Sequence, residues 1–217
     1  MTSERTHGLY AALRHPTLYE AVQRVMGADR ERHRFARDFV RAQPGDRVLD
    51  IGCGPSDLLA YLPEVEYVGW EPNAAYVAKA RRTFGDRGTF YEGFFGPEQA
   101  RVLAPVDIAI VSGVLHHMDD AQASQLFALL RQVVKPDGRV ITVDNVFVER
   151  QNPIARLFIS LDRGRHVRSP AGYEALARSA FGDVHGTVVA QVFPPYTYFF
   201  MTARMSPIEN SAGSDPS

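Results

Sequence analysis

Between residues 47 and 143, short strand-like runs alternate with segments of helical periodicity, and no other feature narrows the fold of this chain as far. The runs are Val48–Ile51, Tyr67–Trp70, Thr89–Tyr91, Asp107–Val111 and Arg139–Val143. Each carries the β-branched and aromatic side chains that suit a pleated surface. Strands separated by helices read as a parallel sheet with helices on both faces, because a parallel connection needs a crossover. The clearest helices are 73 to 83 and 120 to 134. The second starts at Asp119-Asp120, either of which can cap free N–H groups, and it stops at the turn Lys135-Pro-Asp-Gly138.

The flanks are less regular. Residues 9 to 42 show helical spacing broken by His15-Pro16 and Gly27, which predicts two or three short helices ahead of the sheet. Beyond 150 come Asn152-Pro153, the charged stretch Asp162 to Arg168, and a helix at 170 to 180. Two runs near 184 to 193 and 196 to 204, parted by Pro194-Pro195, suit an antiparallel edge hairpin. The tail 206 to 217 is small and polar and reads as disordered.

At 217 residues, 45% hydrophobic and 23% charged, the chain suits one well-cored domain. We divide it into an N-terminal helical cover at 1–44, a main α/β domain at 45–205 with an insertion around 150–180, and the tail. Twenty-four basic against 25 acidic residues give a net charge of −1, which argues against nucleic acid or anionic lipid as a general partner. A single cysteine excludes an internal disulfide, and the first residues lack the apolar core of a signal peptide. With no run near the roughly 20 apolar residues of a membrane span, the expected location is cytoplasmic.

The chemistry begins where the first strand ends. Asp50-Ile-Gly-Cys-Gly54 places two glycines before a helix start, the usual ligand position in an open parallel sheet. The dinucleotide pattern G-x-G-x-x-G would need a third glycine at Asp57, and no Gly-Lys-Ser follows for a P-loop. About twenty residues on, Tyr67-Val-Gly-Trp-Glu-Pro72 ends the second strand with an acid suited to ribose hydroxyls; the alternative is that Glu71 caps the helix from Asn73. Glu92-Gly-Phe-Phe95 and Val111-Ser-Gly-Val-Leu-His-His-Met-Asp119 follow the third and fourth strands.

With these four segments, residues 45 to 145 resemble the class I S-adenosylmethionine-dependent methyltransferases. The resemblance implies a seven-stranded, doubly wound, mostly parallel Rossmann-like sheet with an antiparallel C-terminal hairpin. It implies S-adenosyl-L-methionine as cofactor and S-adenosyl-L-homocysteine as product. The expected cofactor-binding residues are Asp50, Gly52, Cys53, Gly54, Glu71, Pro72, Gly93, Phe94, Ser112 and Gly113. Glu71 stands where the family often has aspartate, and Phe94 where it commonly has aspartate after glycine, so Phe94 and Phe95 either contact adenine or belong to the core.

His116 and His117 are the catalytic candidates, since a neutral histidine can take a proton from an oxygen acceptor; each also has a purely structural reading. Asp144-Asn145 resembles the metal-binding pair of catechol-type members, but Ser112 and Gly113 replace the preceding acid, and no metal is expected. Arginines between 162 and 168 either clamp an anionic acceptor or form a solvated loop. Tyr10, Tyr19 and Gln23 either close over the cofactor or pack on the sheet. The expected substrate is a small metabolite methylated at O, N or C, with no nucleic-acid or membrane partner and the oligomeric state open. The rivals are an RNA or protein methyltransferase, a non-catalytic cofactor-binding protein, and aminopropyl transfer, for which no acidic cluster is present.

Overall fold

The structure is a computed structural model and describes residues 28–161, 164–192 and 195–205. The expected helices before residue 28, with Tyr10, Tyr19 and Gln23, and the tail from 206 lie outside the described residues. Seven strands form one sheet: β1 (Arg47–Ile51), β2 (Glu66–Glu71), β3 (Gly88–Glu92), β4 (Val106–Ser112), β5 (Val134–Asn145), β6 (Asp183–Gln191) and β7 (Tyr196–Arg204). Their order is β3-β2-β1-β4-β5-β7-β6. The first five are parallel, while β7 runs antiparallel to both β5 and β6. The expected doubly wound sheet and C-terminal hairpin are both present. The strand order reverses beside β1, so the carboxyl ends of β1 and β4 flank the crevice where such sheets bind ligands.

Six α-helices are described: α1 (Ala28–Arg34), α2 (Ala74–Phe84), α3 (Pro97–Val102), α4 (Asp120–Val133), α5 (Pro153–Leu161) and α6 (Pro170–Arg178). Helix α1 continues as a wider turn, Phe35–Val40, that stacks Phe39 on Phe200 of β7 with ring centroids 4.1 Å apart. The alternation of strand side chains splits the core in two. One face carries Leu49, Ala109, Val140 and Met201 under α4 and α6; the other carries Val48, Ile108, Ile141 and Phe200 under α2 and the Phe35–Val40 turn. Helix α4 buries Ala123, Leu126, Phe127, Leu130 and Val133, a 3.6-residue stripe. Phe127 is fully buried, so truncating it to alanine costs about 3–5 kcal/mol.

Helix ends follow local chemistry. Asn73 Oδ1 accepts from the N–H groups of Ala75 and Tyr76 to start α2. Of the two acids expected to cap α4, Asp119 does so, exchanging bonds with Gln122 in a capping box, while Asp120 turns to Arg168. The Lys135–Gly138 turn differs from expectation. Pairing starts already at Val134, opposite Val106, and resumes at Arg139 opposite Ile108, so the turn is a bulge inside β5. Lys135 Nζ reaches Asp107 Oδ1 at 2.7 Å, which holds the bulge to β4. Helix α3, between β3 and β4 where a helical segment is expected, is six residues long, whereas α5 lies where the sequence predicts no helix.

Candidate active site

A cavity of about 1170 Å³ opens at the carboxyl ends of β1, β2 and β4 and extends to Asn145 on β5 and to Tyr196 and Tyr198 on β7. Its walls divide into a backbone-lined half and a side-chain-lined half.

The backbone half is built on left-handed turns. Gly52, Gly54, Gly93 and Gly113 have φ values of +68°, +55°, +127° and +67°, a region closed to most side chains, and all four line the cavity. At Gly54 and Gly93 a Cβ would meet no protein atom within 4 Å and would project into open space. At Gly52 it would strike Val114 Cγ2 at 2.5 Å. A side chain at Gly52 is thus disfavoured by a protein contact as well as by the backbone conformation.

Glu71 ends β2, is 8% exposed and lies on the wall. Its Oε2 accepts from the Gly54 N–H at 3.0 Å and its Oε1 from the Asn73 N–H at 2.7 Å. Glu71 ties the glycine loop to the start of α2, and each oxygen keeps acceptor capacity for a further donor. Pro72, Phe94, Ser112 and Gly113 also line the cavity. Phe94 is 79% exposed, while Phe95 is buried and packs edge-on against Trp70, so the two aromatic neighbours divide between wall and core. Four glycines presenting backbone, one carboxylate at ribose distance in sequence and an aromatic rim fit a nucleoside-bearing cofactor such as S-adenosylmethionine.

Two expected binding residues are placed elsewhere. Asp50 and Cys53 are absent from the cavity wall. Strand alternation sends the Asp50 side chain to the face of the sheet that carries Val48, where its Oδ2 accepts from Tyr67 Oη at 2.6 Å. Burial raises its carboxyl to about 7, against the pull of the Tyr67 bond. Cys53 packs under the same face beside Gly69, and burial pushes its thiol up to about 12, so it is no nucleophile.

In the side-chain half, a single 3₁₀ turn, Leu115–His117, carries both histidines. His116 is 5% exposed; its Nδ1 lies 2.7 Å from Asp144 Oδ1, and its backbone N–H donates to the same oxygen at 3.1 Å. The Cε1 edge of the ring sits beside Gly113 on the cavity wall. His117 is exposed on the wall, its ring centroid 4.1 Å from that of His116. Burial raises the Asp144 carboxyl, opposed first by the His116 bonds and further by the charge of Arg168. Asp144 was considered in the sequence only as half of a metal pair; the structure instead gives it to His116. The signal available was an acid ending β5 beside a histidine just past β4, since neighbouring parallel strands place such ends together.

The segment after α5 supplies Arg168, whose five N–H groups make five bonds: Nε and Nη2 to Asp120 Oδ1, Nη1 to the carbonyls of Leu115 and His166, and Nη2 to the carbonyl of Met118. It has no donor left for an anionic acceptor. Arg163 is outside the described residues, and Arg165 is exposed. No group of three or more metal-ligating side chains occurs among the described residues, and no described helix is long and apolar enough to cross a membrane.

Comparison with known proteins fits this geometry. The family profile described as "Methyltransferase domain" matches residues 49–140, the span from the glycine loop to the start of the fifth strand's paired segment. Residues 49–140 thus match a methyltransferase domain, in keeping with the resemblance to the class I S-adenosylmethionine-dependent methyltransferases. An uncharacterized methyltransferase of Geobacillus sp. (strain WCH70) is 28% identical over 152 residues, 66% of this chain and 71% of that protein. Another, from Synechocystis sp. (strain ATCC 27184 / PCC 6803 / Kazusa), is 25% identical over 60% of this chain and 63% of its own length. Among solved structures, mitomycin 7-O-methyltransferase superposes with a TM-score of 0.64 at 22% identity, covering 89% of this chain and 59% of that one. Human N-acetylserotonin methyltransferase in complex with SAM gives 0.66 at 21%, covering 94% and 61%. At these identities the likeness is one of fold, and this chain spans about three fifths of the length of those structures.

Proposed function

We propose that this chain transfers the methyl group of S-adenosylmethionine to a hydroxyl oxygen of a small molecule, with His116 as the general base. The observation that carries the reading is the His116–Asp144 pair at 2.7 Å on the wall of the cavity. An ionised Asp144 can only accept, so the ring donates from Nδ1 and keeps its lone pair on Nε2. Displacement at a sulfonium needs an in-line nucleophile, and an oxygen nucleophile must lose its proton as the bond forms; a base held in one tautomer is suited to take it. Bound cofactor supplies the electrophilic methyl.

For binding, Gly52, Gly54 and Gly113 would present backbone to the amino-acid part of the cofactor, Glu71 would accept from the ribose, and Gly93 and Phe94 would border the adenine. His117, Tyr196 and Tyr198 would face the acceptor. Support for an oxygen acceptor of small size also comes from the neighbours in fold, one of which is named as an O-methyltransferase. The test is calorimetric titration with S-adenosylmethionine and S-adenosylhomocysteine, followed by a screen of phenols, alcohols, amines and carboxylates read by release of S-adenosylhomocysteine. Release with hydroxyl acceptors that is lost in His116→Gln supports the reading. Turnover only with amines, undiminished in His116→Gln, overturns it, and binding without any turnover favours the non-catalytic alternative.

A further inference from the structure

The base candidate is held from two sides, and only one of them is the Asp144 carboxylate. Across from it runs the segment Gly164–Arg168, which follows α5 and returns to the sheet at the Val146–Arg168 bridge. Gly164 packs against the imidazole: a Cβ there would overlap Cδ2 of His116 and stand 2.9 Å from its Cγ and from its carbonyl oxygen. Two residues on, the His166 N–H donates to the His116 carbonyl at 3.0 Å. Arg168 then closes the turn from below. Its Nη1 and Nη2 hold the Leu115 and Met118 carbonyls at 2.9 and 2.7 Å, one on each side of the two histidines, and its side chain is only 11% exposed.

We propose that Gly164 and Arg168 are positioning residues for His116, fixing the ring against Asp144 so that Nε2 keeps its lone pair. This rests on the reading of His116 as base. The argument is one of degrees of freedom. A histidine on an isolated 3₁₀ turn has a soft backbone and two free side-chain torsions, and the productive geometry must hold within a fraction of an ångström. Asp144 fixes the ring by one hydrogen bond, which tolerates rotation about it. Gly164 removes that rotation by occupying the space on the Cδ2 side. Arg168 fixes the backbone of the turn through the Leu115 carbonyl, which also accepts from the Met118 N–H, and the Met118 carbonyl just past the turn's end. A planar fork is needed, since a lysine ammonium cannot reach both carbonyls and Asp120 in the same plane.

The positioning is readable without knowing the acceptor. Long-range ¹H–¹⁵N NMR of ¹⁵N-histidine-labelled protein saturated with S-adenosylhomocysteine, with His116→Gln for assignment, reports which ring nitrogen carries the proton. The wild type is expected to show one Nδ1-protonated neutral tautomer at His116. Gly164→Ala and Arg168→Lys are expected to lose that single signature to exchange between tautomers, with less than a threefold change in S-adenosylhomocysteine affinity. If either variant fails to fold, Asp120→Ala takes its place, since it removes two of the five Arg168 bonds from the exposed side and is expected to broaden the same signal. Variants that fold, bind the product and keep the wild-type signature overturn the proposal while leaving His116 as base. A wild type protonated at Nε2 instead overturns the base reading, and the positioning role with it.

Discussion

The two halves of the cavity are made from different materials. The cofactor half is local and built of main chain: Gly52, Gly54 and Glu71 lie within twenty residues, and the bond that joins them runs from a backbone N–H to a carboxylate 17 residues on. The acceptor half is assembled from distant side chains, with His116 and Asp144 separated by 28 residues and Arg168 reaching 53 residues back to the Leu115 carbonyl. Main-chain recognition depends on a few glycines and tolerates change elsewhere. Side-chain recognition depends on every element that sets its geometry. The first half is therefore suited to a ligand read through its backbone contacts and the second to one read by side chains.

The comparison breaks most sharply if the halves are not separable. His116→Gln keeps the volume and a donor toward Asp144 but offers no base. Methyl transfer should fall by about 10²–10⁴, the usual contribution of general-base catalysis, while calorimetry gives an unchanged affinity for S-adenosylmethionine. Equal loss of both would mean the halves form one unit. Glu71→Gln addresses the other half. Replacing a charged acceptor by a neutral one weakens bonds of about 1.5–3 kcal/mol, so cofactor affinity should drop roughly 10- to 100-fold. The maximal rate at saturating cofactor should stay within a few-fold, as single-turnover kinetics can show.

This division also explains what could be read from the sequence. Strands β1 to β5, helices α2 and α4 and the C-terminal hairpin were legible because each has its own periodicity and stop signals. The glycine loop and Glu71 were legible because their spacing is fixed by one βαβ unit. Helix α5 was not: its polar side is only Arg156 and Ser160, and Ile154, Leu157, Phe158 and Leu161 stay exposed while Ala155 and Ile159 are buried, so the apolar pattern does not mark the buried face. The His116–Asp144 pair needs the parallel register of β4 and β5, a tertiary fact. Asp50 and Cys53 were placed at the ligand because they stand within the glycine motif, but strand alternation points Asp50 away from it. Arg168 looked like a substrate clamp because a charged loop does not reveal which carbonyls will come to meet it.

Asp50 sharpens the comparison from beneath the cofactor half. Its folded carboxyl, raised to about 7 by burial, sits above the ordinary unfolded value, so the folded state binds the extra proton. Stability from this group is present below the unfolded pKa and is lost as pH rises through about 7. Asp50→Asn keeps an acceptor for Tyr67 and carries no titration. The variant should therefore be more stable than wild type at pH 8, by about 1–3 kcal/mol on a denaturant melt, with the gap closing by pH 4. A constant gap across that range would mean the carboxylate is solvated, and that the floor of the glycine loop is wetter than its 3% exposure indicates.

The smallest effect is expected at the edge of the acceptor half. Leu157 and its neighbours Ile154, Phe158 and Leu161 recur at i, i+3, i+4 and i+7 on one side of α5, between 42% and 56% exposed. An exposed apolar side chain that touches little contributes little, so Leu157→Ser should shift stability by no more than about 0.5 kcal/mol. A loss near the roughly 2–5 kcal/mol of a buried leucine would instead mean that the stripe is covered in the folded protein. Paired with His116→Gln, the same substitution asks whether the acceptor half ends at its walls. Leu157→Ser that leaves stability unchanged but raises the acceptor KM would extend that half onto α5, whereas no change in either would confine it to the Leu115–His117 turn, Asn145 and the two tyrosines of β7.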